Sequence, residues 1–93
     1  MSDKKDFYIN LKIQLNDTTE FPADYMYKFI VPTDGDQLEK VKSIFDFKGA
    51  VIKTRNSKTG KYVSSTIVLK LNSADEVISY YKKVENIKGI ISL

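Results

Sequence analysis

Cysteine and histidine are both missing from this 93-residue chain, and each absence removes a body of chemistry. Without cysteine there is no disulfide, no thiolate nucleophile, no Cys-type zinc site, no iron–sulfur cluster and no thiolate copper carriage. Without histidine, the hydroxyls of Ser64, Ser65 and Thr66 have no general base of the usual kind. No run of about 18 apolar residues is present, so no membrane span is expected. The stretch Met1–Asp6 lacks the apolar core and small-residue cleavage site of a signal peptide. The expected location is therefore cytoplasmic. Arginine is nearly absent as well: Arg55 is the only one among fifteen basic residues. Arginine is the side chain preferred for bidentate contacts to phosphates and bases, so its scarcity argues against a nucleic-acid reader.

What is present is an ordinary globular balance, 42% apolar and 29% charged, in a length that suits a single core. The net charge of +3 is unevenly spread. Between Phe47 and Leu71 there are six bases (Lys48, Lys53, Arg55, Lys58, Lys61, Lys70) and no acid, leaving nine bases against twelve acids elsewhere. A basic hairpin built on Lys53, Arg55, Lys58 and Lys61 can attract an anionic partner. The same lysines can equally keep a strand edge soluble and unpaired.

Period and turn chemistry order the chain. Tyr25–Val31 alternates as a strand, ended by Pro32 and by the turn residues Thr33-Asp34-Gly35-Asp36. Leu38, Val41, Ile44 and Phe45 then recur at helical spacing, with Asp34 and Asp36 placed to cap that helix. Ala50–Arg55 and Lys61–Leu71 read as two strands around an Asn56–Gly60 hairpin turn. Ser73-x-x-Glu76 is a capping box opening a second helix, whose inward residues are Val77, Ile78, Tyr81 and Val84. Lys88-Gly89 turns the chain into a last strand, Ile90–Leu93.

Strand, helix, strand, turn, strand, helix, strand is the split βαβ or ferredoxin-like plan. The expected fold is thus α+β: a four-stranded antiparallel sheet in the order 4-1-3-2, with two helices on one face. Residues 1–20 form an N-terminal extension and residues 21–93 the domain. The helices should cover Tyr27, Phe29, Ile67 and Leu69. The opposite face is left with Met26, Lys28, Ile30, Tyr62, Ser64, Thr66, Val68 and Ile90, too apolar a set for a simply solvated surface. It is either a partner or self-association face, a scatter of ordinary exposed aliphatics, or a face covered by the N-terminal segment.

Residues 7–15 are ambiguous. Strict alternation puts Phe7, Ile9, Leu11, Ile13 and Leu15 on one side of a strand, whereas helical spacing groups Phe7, Tyr8, Leu11 and Leu15 and leaves Ile9 and Ile13 elsewhere. Period counting favours the strand.

At Phe21-Pro22, Tyr27-Lys28, Gly60-x-Tyr62-x-Ser64 and the capped Ser73 helix, the chain resembles the YbeD-like family of small, largely uncharacterised bacterial proteins. The likeness runs from about residue 21 to Leu93. It implies a βαββαβ fold similar to ACT regulatory domains and no established enzymatic activity. Relatives usually begin with a helix leading into Phe-Pro, so the resemblance implies a helix over residues 7–15 instead of a strand. ACT-type domains commonly bind small effectors, often amino acids, near the first strand–helix loop. Here that loop is Thr33, Asp34, Gly35 and Asp36, where glycine lets a ligand approach backbone and the helix N-terminus favours an anion. The two aspartates oppose such an anion, and a plain turn with helix caps accounts for the same residues.

No catalytic constellation emerges. A Ser64–Lys28 dyad would require a desolvated lysine on an open sheet face. Acylphosphatases share the fold but need a phosphate-cradling arginine in the first loop, which this loop lacks. The carboxylate pairs Asp34/Asp36 and Asp75/Glu76 would hold a hard cation weakly. RNA-recognition domains share the element order but stack bases on outward aromatics of their central strands, and here Tyr25, Tyr27 and Phe29 turn inward. The expectation is a non-enzymatic regulatory or protein-interaction module with no cofactor, acting through a protein partner or as a homodimer. The alternatives are a small-effector sensor and, less favoured, an RNA-binding module using the basic hairpin.

Overall fold

Strand β1 (Ala23–Pro32) is the spine of the structure. The computed structural model describes residues 3–46 and 49–93, with the side chains of residues 3 and 4 outside the description. Lys48, one of the bases counted above, also lies outside it. Around β1 the chain adds α1 (Asp3–Thr18), α2 (Gln37–Phe45), β2 (Val51–Asn56), β3 (Tyr62–Leu71), α3 (Ala74–Val84) and β4 (Ile91–Ser92). The sheet runs β2-β3-β1-β4, which is the expected order read from its other edge. All its pairings are antiparallel. Residues 7–15 are helical, as the family resemblance implied and the alternation did not.

The core forms where the inward residues of β1 and β3 meet the apolar stripes of α2 and α3. Tyr27, Phe29, Val31 and Val63, Ile67, Leu69, Leu71 are buried against Val41, Phe45, Val77 and Val84. Aromatic rings dominate the centre: Tyr27 lies 5.1 Å from Phe45 and 4.9 Å from Tyr81 by ring centroids. Such edge and tilted contacts add to the area each ring removes from water. The Tyr27 hydroxyl is buried too, and donates to the Val77 carbonyl at 2.8 Å. That bond removes the penalty of an unpaired polar group.

Local signals act as their chemistry dictates, with one exception. Ser73 caps α3, its Oγ accepting from the Glu76 N–H at 3.1 Å, and Glu76 Oε1 returns to the Asn72 N–H at 2.8 Å. Asp36 occupies the N-cap position of α2 but makes no side-chain cap bond, because its backbone is not extended. Its carboxylate lies 3.6 Å from the Lys40 ammonium instead. The hairpin turn closes with Gly60 at φ +74°, a conformation that suits glycine. At Gly89 (φ +77°) a Cβ would lie 3.1 Å from the Pro32 ring, so the turn into β4 needs glycine for space as well as for backbone.

Helix α1 packs on α3, in the helical layer. Leu15 is buried and Tyr8 reaches Glu85 Oε2 at 2.7 Å, while Lys12 and Asp75 approach to 3.0 Å. Ile9 and Ile13 point away, 49% and 55% exposed. Helix α1 therefore does not cover the other face of the sheet. Among the described residues no helix is long and apolar enough to cross a membrane.

Candidate functional site

The helix-free face of the sheet takes its order from strand register, because residues directly opposite in a ladder point to the same side. Arg55 pairs with Ser64, Ser64 with Ile30, and Ile30 with Ile91, so these four form one transverse row across all four strands. The next row is Lys53, Thr66 and Lys28, and the one after it Val51, Val68 and Met26. Lys70 and Asp24 close the sequence at one end, Tyr62 and Pro32 at the other. Neighbouring rows are about 7 Å apart, two residues of strand rise. A band carrying Lys53 and Lys28 thus lies between the apolar Val51, Val68 and Met26 and the apolar pair Ile30 and Ile91, whose row carries Ser64 and Arg55 on its β3 and β2 side.

Seven of the eight face residues expected from sequence are brought together in this way. Ile90 is the exception. Its N–H bonds to the Ile87 carbonyl at 3.3 Å, within the turn before β4, and its side chain packs against the core. The strand is two residues long, where Ile90–Leu93 was expected, and starts at Ile91, which pairs with Ile30 and takes the outer position. A one-residue change of register exchanges the faces, and no sequence pattern as short as Ile-Ile-Ser-Leu fixes that parity. Val51 was also missed; its place follows only from pairing with Val68.

Exposure confirms that the face is open. Met26 is 61% exposed, Val51 55%, Ile91 50% and Tyr62 47%. A shallow depression of about 410 Å³ is lined by Ile30, Tyr62 and Ile91 together with Ser57, Ser64 and Arg55. Of the basic hairpin, Lys53 and Arg55 belong to the face, whereas Lys58 and Lys61 lie at the turn, beyond the rows. Ser64 donates to the Arg55 carbonyl at 3.3 Å. Lys28 stands one row from Ser64 but is exposed, lacking the burial a general-base lysine requires. Tyr62 is the one aromatic of the outer rows, since Tyr27 and Phe29 are buried and Tyr25 bonds to the Tyr81 hydroxyl at 2.9 Å.

Thr33, Asp34 and Gly35 border a second groove of about 690 Å³, together with Gln37, Lys61 and Lys88, which meets the first depression at Tyr62. Thr33 ties the loop to the hairpin, its hydroxyl donating to the Gly60 carbonyl and its N–H to the Lys61 carbonyl. Gln37 Nε2 reaches the Lys88 carbonyl at 3.3 Å, and its Oε1 is buried without a partner. Among the described residues no three carboxylates gather as a metal site.

A family model described as "Protein of unknown function (DUF493)" matches residues 16–93. The chain belongs to the DUF493 family. This is the family that the YbeD-like resemblance indicated. The matched span begins within α1 and takes in the whole sheet, so the rows described above lie inside the DUF493 unit. Among solved structures, the solution structure of protein HP0495 from H. pylori is similar, with 16% identity and a TM-score of 0.63. The match covers 82% of this chain and 86% of that one. At that identity the likeness supports the ferredoxin-like fold of this chain and nothing further. No curated protein sequence matches the chain.

Proposed function

We propose that this domain is a non-enzymatic interaction module, akin to ACT-like regulatory domains, that works through the open face of its sheet. The observation carrying this reading is the ordered apolar surface of Met26, Val51, Ile30, Ile91 and Tyr62, which no element among the described residues covers. Exposed apolar rows on either side of a basic one suit a contact surface. Pairing two copies face to face would bring together two surfaces of the same positive sign, so a different protein suits the surface better than a second copy. A photocross-linker at Thr66, in the central row, tests the reading inside cells. A discrete adduct should form, disappear in Ile30→Glu, and persist in the control Ile9→Glu on the outer side of α1. No adduct, or one indifferent to Ile30→Glu, rejects it. Solution mass by light scattering separates self-association from a foreign partner.

The groove beside Thr33–Asp36 favours a second reading, a sensor of a small amino-acid-like effector. Its support is the uncapped start of α2 with Lys61 and Lys88 on the same groove. A ligand binding only the native state raises its melting temperature, so a thermal-shift screen of amino acids should single out one class. A flat screen removes that reading.

A further inference from the structure

We infer that the occupant of the open face is an acidic amphipathic helix from a partner protein, one whose apolar stripe is interrupted midway by carboxylates. This rests on the interaction reading above and names the partner's chemistry. The face carries Lys28, Lys53, Arg55 and Lys70 against a single acid, Asp24, which sits opposite Lys70 at one end. Neither described ion pair, Lys12–Asp75 or Lys40–Asp36, involves any of them. Lys28 and Lys53 thus share the row between Ile30 and Met26, with Arg55 at the β2 end of the next row, and complementary charge is what such an arrangement selects.

The row order sets the shape of the complement. Lys53 and Lys28 flank Thr66 across two strand spacings, about 10 Å apart. The apolar rows on either side, Ile30 with Ile91 and Val51 with Met26, stand about 7 Å from that band. A helix rises about 6 Å over four residues, so apolar side chains at i and i+8 reach the two apolar rows. Acids at i+3 and i+4 then fall over the band, splayed toward Lys53 and Lys28. A helix in that position also supplies the layer the sheet lacks on this side. Single-stranded nucleic acid fits less well, since it stacks on aromatic platforms and only Tyr62 is available.

The test is an NMR titration of the labelled full chain with a synthetic Ala-based helical peptide carrying Leu at i and i+8 and Glu at i+3 and i+4. Two control peptides replace both Glu by Lys or both Leu by Ser. The Glu/Leu peptide should shift Met26, Ile30, Val51, Thr66 and Ile91, and bind at least about tenfold more tightly than either control, a difference typical of charge and anchor contacts. The double variant Lys28→Glu/Lys53→Glu, with its amide spectrum confirming the fold, should reverse the preference toward the Lys peptide. Equal binding of all three peptides, shifts confined to the Thr33–Asp36 groove, or tighter binding of an oligonucleotide than of the peptide overturns the inference. The Thr66 cross-link distinguishes the two levels. An adduct lost in Ile30→Glu but unchanged in the double variant keeps the interaction face and discards the acidic helix. No adduct in any variant discards the interaction reading itself.

Discussion

Val68 and Leu69 are neighbours on β3, yet they serve opposite surfaces. Leu69 is 2% exposed beneath the helices, and Val68 is only partly buried, in an outer row beside Met26 and Val51. The same division holds along the strand: Val63, Ser65, Ile67, Leu69 and Leu71 are buried, while Tyr62, Ser64, Thr66, Val68 and Lys70 are not. The inner face spends its apolar residues on a closed aromatic core, with the Tyr27 hydroxyl paired to Val77. The outer face has a similar β-prone composition with cations set into it and, among the described residues, no layer above. One face makes the fold. The other presents a surface left open among the described residues, and the proposed interaction rests on that contrast.

The sharpest way to break the comparison is to truncate adjacent residues of β1. Phe29→Ala should cost about 3–5 kcal/mol, the usual loss for an aromatic removed from a packed core. Ile30→Ala, one residue on and facing outward, should cost about 1 kcal/mol or less. Urea denaturation measures both, and similar losses would mean that the outer face is as structural as the inner.

A second effect appears at high pH. Burial, followed by the charges of neighbouring tyrosines, holds the Tyr27 phenol far above the ordinary 10.0, and burial plus the Tyr25 hydrogen bond does the same for Tyr81. Burial, then the Glu85 hydrogen bond, pushes Tyr8 up to about 12. The native state retains these protons where the unfolded chain releases them. Stability is therefore fully present below pH 10.0 and falls as pH rises past it toward the raised native values. Phenolate absorbance and circular dichroism followed together should show the inner tyrosines ionising only as the fold is lost. Ionisation of Tyr27 near pH 10.0 in a folded chain would contradict its burial.

Smaller effects refine the picture. Ser73→Ala removes the α3 cap and should cost about 1 kcal/mol by thermal or urea unfolding. Ser65 and Ser64 offer the finest comparison. Ser65 Oγ is buried with no hydrogen-bond partner, whereas Ser64 on the outer face donates to the Arg55 carbonyl. An unpaired buried hydroxyl carries a desolvation penalty, so Ser65→Ala should be neutral or stabilising by up to about 1 kcal/mol. Ser64→Ala should fall within about 0.5 kcal/mol of the parent. A clear loss at Ser65 would show that its hydroxyl finds a partner in solution.

Much of the fold was legible in the residues themselves. Alternation in Tyr25–Val31 and Lys61–Leu71 determined which side chains face the helices, because a strand has a strict period of two. The Ser73–Glu76 box, the Asn56–Gly60 turn and the stripes Leu38–Phe45 and Val77–Val84 placed the remaining elements within a residue or two. Residues 7–15 were different. Their alternation fits a strand, but α3 offers a surface for Tyr8, Leu11 and Leu15, and packing on it outweighs the local period and leaves Ile9 and Ile13 outside. The outer surface was legible only as a collection of residues. Its rows, the exchange of Ile90 for Ile91, the entry of Val51 and the separation of Lys53 and Arg55 from Lys58 and Lys61 all come from register between strands distant in sequence. Periodicity is a property of one segment, so the chain alone determines which residues share a face. Which of them stand side by side depends on long-range pairing, and only the tertiary structure decides it.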